Sequence, residues 1–284
     1  MKYQFMRFPE GKLKALTFSY DDGVPSDVRL SDTVTPYGIK CTFNYNGDAM
    51  RAMPNLSREE AEEKIFSRGH ELALHGYYHT APGLARAALG IKDVLDNRVE
   101  MEAKYGRIIR GMAYPDSGIA RFHHGMTYDK IKTYLSELEI AYARTTKGHG
   151  TFALPNDFYN WCPTAHHNDE NLFELIDAFL SFSYTGYRLI NSAEPLLFYL
   201  WGHSYEFDRD NNWERMHEIC ARLGGQDDVF YATNIEIYDY IKAYESLVYS
   251  ADSSIVYNPT LYTLWFVRDG SEPISIKSGE TLKF

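Results

Sequence analysis

The sequence predicts an α/β protein, a distorted (β/α) barrel of about seven strands carrying a small C-terminal β appendage. Three observations lead there. Short apolar runs alternate with longer amphipathic ones over most of the 284 residues, and repeated strand–helix units of this kind imply a parallel sheet. About seven such units suffice to close, or nearly close, a barrel. Beyond Ser253 the texture changes to short, turn-separated β segments. The expected division is therefore 1–250 for the barrel and 251–284 for the appendage.

Each element has a local justification. Residues 13–20 (LKALTFSY) form an apolar run of buried-strand length, followed by a helical stretch over 26–36. Residues 39–45 (IKCTFNY) read as strand, and 57–68 as a helix with Ser57 and Glu60 in capping-box spacing. A short strand at 71–74 leads into a long helix over 84–105. Strand 108–114, helix 128–137 and strand 140–144 follow, then an irregular stretch through His167. Residues 170–182 are apolar at helical spacing, and 196–201 (LLFYLW) is the strongest continuous apolar run, hence a central strand. Helix 213–223, strand 229–232 and helix 235–250 complete the barrel. In the appendage, strands are expected at 254–257, 262–267, 274–277 and 281–284, with Asp269-Gly270 and Ser278-Gly279 as turn signals.

Composition narrows the function classes. Acidic side chains number 39 against 29 basic ones, a formal net charge of −10, with 44% hydrophobic and 24% charged residues. These are globular values and exclude a disordered chain. An acidic balance without a basic tract argues against nucleic acid or an anionic membrane as the main partner. Cys41, Cys162 and Cys220 are odd in number and far apart, which implies neither a disulfide framework nor a thiolate zinc site. No apolar run has signal-peptide or membrane-span length, so a cytoplasmic location is expected. The oligomeric state is not readable. The aromatic content is high, with 23 Tyr, 16 Phe and 4 Trp; it means either an aromatic core or rings lining a surface for flat, amphipathic ligands.

In a parallel barrel the reactive groups collect at the C-terminal ends of strands. That rule returns Ser19-Tyr20-Asp21-Asp22-Gly23 after the first strand and His75-Gly76-Tyr77-Tyr78-His79 after the third. It also returns Ala113-Tyr114-Pro115-Asp116-Ser117-Gly118 after the fourth and Gly202-His203-Ser204-Tyr205 after the run at 196–201. His75 and His79 are spaced to share a metal, or are simply two loop histidines. With a carboxylate from another strand end they make a three-ligand set with open positions, a hydrolytic arrangement. Zinc fits best among divalent ions, and Co, Ni, Fe or Mn match the same ligand types. Asp21 and Asp22 at a turn through Gly23 can reach one cavity as one ligand and one base, or serve as turn and cap residues. His203, at the mouth of an apolar strand, suits a general acid or a structural histidine.

These residues resemble the polysaccharide deacetylases, the carbohydrate esterases of family four. Thr17-Phe18-Ser19-Tyr20-Asp21-Asp22-Gly23 is similar to the family's T-F-D-D-G motif with two residues intervening after Phe18. Gly69-His70-Glu71-Leu72-Ala73-Leu74-His75 resembles G-H-E-I-x-x-H and opens the H-x-x-x-H motif ending at His79. The segments at 113–118 and 200–203 resemble the third and last motifs, so that the likeness spans roughly 13–240. The resemblance implies a metal-dependent hydrolase that removes N-acetyl groups from an N-acetylated sugar or oligosaccharide. By position, Asp22, His75 and His79 would hold one divalent ion, Asp21 would be the general base and His203 the general acid. A backbone N–H near Asp116, beside Tyr114, would help to bind the oxyanion.

Two departures stand out. Ala113 occupies the position of the family's base-orienting Arg, which leaves Arg144 or Arg110 to replace it, Arg144 preferred because it ends a strand. The family's fourth motif has its nearest counterpart in Asn160-Trp161-Cys162-Pro163, where Trp161 either lines the substrate site or packs. Hydrolysis of another non-peptide C–N bond, of ureide or formamide type, is the alternative activity. An idle carbohydrate-binding protein is the non-enzymatic alternative, disfavoured because all five polar groups are intact.

Overall fold

Strand β2 (Lys14–Asp21) is buried at all eight positions because it lies in the middle of the sheet, with apolar layers on both faces. The computed structural model describes residues 3–48, 56–183, 194–268 and 271–284. Beside β2 lie β3 (Cys41–Tyr45) and β8 (Leu196–Gly202), both parallel to it, with Tyr20 level with Phe43 on one side and Gly202 on the other. Continuing outward from β3 come β4 (Glu71–Leu74), β5 (Gly111–Ala113) and β6 (Tyr142–Arg144). Beyond β8 comes β7 (Ala165–His166), also parallel. The sheet order is thus β6-β5-β4-β3-β2-β8-β7, seven parallel strands curled into an open half-barrel. An eighth, β9 (Val229–Tyr231), pairs with the start of β2.

Helices α1 (Ser26–Val34), α2 (Arg58–Lys64), α3 (Ala87–Tyr105), α4 (Tyr128–Glu137), α5 (Leu172–Ser181), α6 (Tyr205–Arg209), α7 (Trp213–Leu223) and α8 (Asn234–Glu245) cover the sheet. Ser57 caps α2 by accepting from the Glu60 N–H, but the full reciprocal capping box lies at α8, between Thr233 and Glu236. Because every central strand runs the same way, Asp21, His75, Tyr114, Arg144, His166 and His203 all come to one end of the sheet.

The structure differs from expectation at several elements. A strand β1 (Gln4–Arg7) precedes the barrel and pairs antiparallel with β12 (Leu264–Arg268), far away in sequence. The helix expected over 235–250 ends at Glu245, and Val248–Tyr249 form strand β10, paired with β11 (Ile255–Tyr257). Strand β13 (Ile274–Ile276) extends β12, and β14 (Thr281–Lys283) extends β11. The turn at Ser278-Gly279 has Gly279 at φ +71°, whereas Asp269-Gly270 lies outside the described residues. Val256, Leu264, Phe266 and Ile276 pack in one core with Phe8, Tyr199 and Tyr240 of the barrel.

Candidate metal centre and acid–base site

Strand β2 leaves its regular pleat at its end. Asp21 is fully strand-like and buried, while Asp22 takes φ +81° and Gly23 φ +63°. A Cβ on Gly23 would lie 2.7 Å from the Tyr45 ring, so only glycine fits this turn. The left-handed residue breaks the alternation of a strand, and both carboxylates approach His75 Nε2, at 3.8 and 3.6 Å.

Asp22 lies between two histidines, with Oδ1 3.6 Å from His75 Nε2 and 3.7 Å from His79 Nε2. The three potential ligand atoms lie within 4.8 Å of one another. His75 Nδ1 sits 3.0 Å from the Ala113 carbonyl oxygen, which can only accept, so that nitrogen carries the proton. Its Nε2 lone pair is then free and aimed at Asp22 and His79, the tautomer a metal ligand needs. Burial lowers the His75 pKa despite the neighbouring carboxylates, which also favours the neutral, ligating form. These residues fit a divalent cation with two nitrogen donors and one oxygen donor.

Asp21 sits beside this group and is not free to swing. It accepts from Asn44 Nδ2 at 2.9 Å and pairs with the guanidinium of Arg144, itself fully buried at the end of β6. Asn44 also donates to Ser19 Oγ and the Tyr20 carbonyl, locking β2 to β3 at this level. Burial alone would raise the Asp21 pKa, but Arg144, His75 and His203 outweigh it and hold the carboxyl below its usual value. Arg110 is engaged elsewhere, with Asp239.

His203 follows β8, with Nε2 4.0 Å from Asp21 and 3.9 Å from Asp22. Burial would lower its pKa, but Glu206, Asp21 and Asp22 outweigh that and raise it. Asp27 of α1 accepts from Ser204 Oγ at 2.6 Å and from the Val24 N–H at 3.1 Å, tying the turn after β8 to the turn after β2.

The remaining predicted residues divide. Tyr114 is buried, donates to the Tyr159 carbonyl at 2.7 Å, and lines a cavity of about 360 Å³ with Ser117, Phe122, Tyr128, Thr145 and Lys147. Asp116 is exposed at φ +50°. Trp161 is not at the cavity. Its ring packs edge-on against Tyr142, Phe158 and Tyr199 in the core, while its backbone pairs with β6. Of the tyrosines in the strand-end segments, Tyr77, Tyr78 and Tyr205 are accessible, whereas Tyr20 is buried against His167.

Sequence reasoning missed Glu206, His166 and His167. One oxygen of Glu206 lies 3.2 Å from His166 Nε2, 3.1 Å from His167 Nε2 and 3.7 Å from His203 Nδ1. These are also metal-type residues. His166 Nδ1, however, accepts the Asn168 backbone N–H at 3.1 Å, which puts its proton on Nε2, facing Glu206. That nitrogen is a donor, and the group reads as a carboxylate held by imidazoles. The i, i+3 spacing of His203 and Glu206 at a helix start was the available signal.

A curled α/β half-barrel thus gathers three histidines and two aspartates at its strand ends. The polysaccharide deacetylase family matches residues 8–140, which bears out the resemblance seen in the motifs; Arg144 and His203 lie beyond this stretch. Comparison with the curated proteins gave no match. Among solved structures, a proposed polysaccharide deacetylase from Mycobacterium smegmatis superposes with a TM-score of 0.55 at 16% identity, covering 84% of this chain and 94% of that one. A mutant of a Bacillus anthracis family-four pseudoenzyme, with restored enzymatic activity, gives 0.50 at 13% identity, covering 83% and 70%. At these identities the likeness concerns the fold.

Proposed function

We propose that the protein is a metal-dependent hydrolase that removes the N-acetyl group from an N-acetylated sugar or oligosaccharide. The observation that carries the reading is the pairing of a freed His75 Nε2, Asp22 and His79 with a separate, Arg144-held carboxylate 3.8 Å from that nitrogen. Asp22, His75 and His79 would hold the cation, which when bound supplies Lewis acidity toward a water and the amide carbonyl. The residues divide the remaining work. Asp21 stays ionised because of Arg144 and accepts the proton of the attacking water. His203, with a raised pKa and its Nε2 turned to the aspartates, delivers a proton to the departing amine. The Asp116 N–H donates to no group among the described residues and is available to the developing oxyanion. The cavity beside Tyr114 begins at the residues directly after Ala113 and Arg144, which touch His75 and Asp21, and has the dimensions of a sugar site.

The test is metal analysis of the purified protein, followed by acetate release from N-acetylated sugars. One metal ion per chain and metal-stimulated acetate release are expected. Asp21→Asn should keep the metal and lose hydrolysis by on the order of a hundredfold or more, while His75→Ala loses both. Absence of bound metal, with no gain on adding zinc or cobalt, overturns the reading. Release of ammonia or formate without acetate would favour the ureide or formamide alternative.

A further inference from the structure

The two histidines of the candidate centre are held in very different ways. His75 is fixed on every side: its N–H reaches the Tyr45 carbonyl at 2.9 Å and Asn97 Oδ1 at 3.1 Å, its ring is tied to the Ala113 carbonyl, and Asn46 donates to its own carbonyl at 2.6 Å. The His79 side chain is 40% exposed, sits on a residue with φ +53°, and among the described residues makes no hydrogen bond through its ring. It lies 3.7 Å from Asp22 and roughly perpendicular to the His75 ring, centroids 4.9 Å apart. Its position therefore depends on the backbone that carries it.

That backbone is gripped by one residue of α3. The Asp93 carbonyl accepts from the Tyr77 N–H at 3.1 Å, and Asp93 Oδ1 accepts from the Tyr78 N–H at 2.6 Å. The same carboxyl takes the Thr80 N–H, so its bonds fall on both sides of His79. Asp93 is 3% exposed, and Gly76 permits its approach, since a Cβ there would lie 2.4 Å from Asp93 Oδ2. One turn on, Asn97 holds the His75 N–H; residues four apart share a helix face, so α3 fastens both ends of the histidine loop.

We propose that Asp93 is a positioning residue for the metal centre, setting its affinity by fixing the loop that presents His79. Resting on the reading of Asp22, His75 and His79 as the ligands, the inference concerns what pre-orders them. A loop freed from Asp93 must be ordered when the cation binds, and that cost appears as weaker binding. Residues that orient ligands in this way are typically worth 10- to 100-fold in metal affinity.

The experiment measures Zn²⁺ affinity by competition with a chromophoric chelator, and records the visible spectrum of the Co²⁺ form. It compares the wild type, Asp93→Ala, Asp93→Asn, His79→Ala and the His79→Ala/Asp93→Ala double variant, with circular dichroism of each apo-protein as a check of folding. Asp93→Ala should bind Zn²⁺ about 10- to 100-fold more weakly, with a changed Co²⁺ spectrum. Asp93→Asn, which keeps an acceptor oxygen, should recover most of the affinity. In the His79→Ala background the Asp93→Ala change should cost no more than about twofold, because the ligand that it positions is gone. Asp93→Ser, too short to reach the Tyr78 N–H, replaces the alanine variant should that one not fold. Wild-type affinity in Asp93→Ala, or an equal loss with and without His79, overturns the inference alone. A wild type that binds no Zn²⁺ overturns the metal reading and the inference with it.

Discussion

Two groups of similar composition lie at one end of the sheet, and hydrogen-bond direction separates them. His75 gives its Nδ1 proton to a carbonyl and presents a lone pair, whereas His166 receives an N–H at Nδ1 and presents a proton. Around Glu206, burial would raise the carboxyl, but His166, His167 and His203 outweigh it and hold it far below the usual range. His167, lowered by burial to about 4, is itself a neutral partner at ordinary pH. An anionic Glu206 facing His203 Nδ1 turns the opposite nitrogen toward the aspartates. Glu206→Gln is therefore expected to slow amide hydrolysis by on the order of ten- to a hundredfold. An acetyl ester with a good leaving group, which needs little acid assistance, should be much less affected, and metal content should be unchanged. Parallel rate measurements on the two substrates check this; equal losses on both would remove Glu206 from the proton-donating arrangement.

At the level of elements, the lower end of the sheet carries a second titratable feature. Glu71, the first residue of β4, accepts from Tyr142 Oη at 2.7 Å, Thr42 Oγ1 at 2.8 Å and the Ile235 N–H at 2.9 Å. Burial still dominates and pushes its pKa from 4.5 up to about 7. The folded state then holds a proton that the unfolded chain releases, so the contribution of Glu71 to stability is greatest below about pH 4.5 and is lost as pH rises through 7. The full effect is up to about 3 kcal/mol. Urea unfolding between pH 5 and 8 should show the wild type losing stability relative to Glu71→Gln as pH rises; a constant difference would contradict the assignment. Legibility in the sequence follows the same division between local and distant causes. The runs at 13–20, 39–45 and 196–201 announced β2, β3 and β8 because a strand buried on both faces is apolar throughout. Strand β7 has two residues, and β1 reads as an ordinary polar–apolar tetrapeptide until β12 arrives beside it. Tyr244 to Tyr249 continued the helical pattern, and only the pairing with β11 ends it. The site was similarly mixed. Asp21, Asp22, His75, His79 and His203 lie next to strands with readable ends, whereas Asp93, Asn97 and Glu206 act from helices whose facing side no single-sequence pattern specifies.

Over the whole molecule, the question is whether the strands after Ser253 are an ornament or part of the barrel's stability. β1, near the N-terminus, pairs with β12 in one antiparallel sheet with β13, while the last strand, β14, pairs with β11 in another. Leu264 and Phe266 are fully buried, in the same core as Phe8, Tyr199 and Tyr240, and the Tyr240 hydroxyl accepts from the Trp265 N–H while donating to the Arg7 carbonyl. Removing 251–284 would uncover this apolar surface along β8 and α8, and a chain ending at Ser250 is expected to be insoluble or to unfold well below the full-length protein. Phe266→Ala is the finer probe. A buried phenylalanine truncated to alanine costs about 3–5 kcal/mol, and because its cavity opens against α8 and β1, that loss should lower the single unfolding transition of the whole chain. Tryptophan fluorescence and far-ultraviolet circular dichroism, recorded through the same thermal unfolding, would then remain superimposable at a lower midpoint. Two separated transitions, with only the lower one moved by the substitution, would show instead that the C-terminal strands fold by themselves.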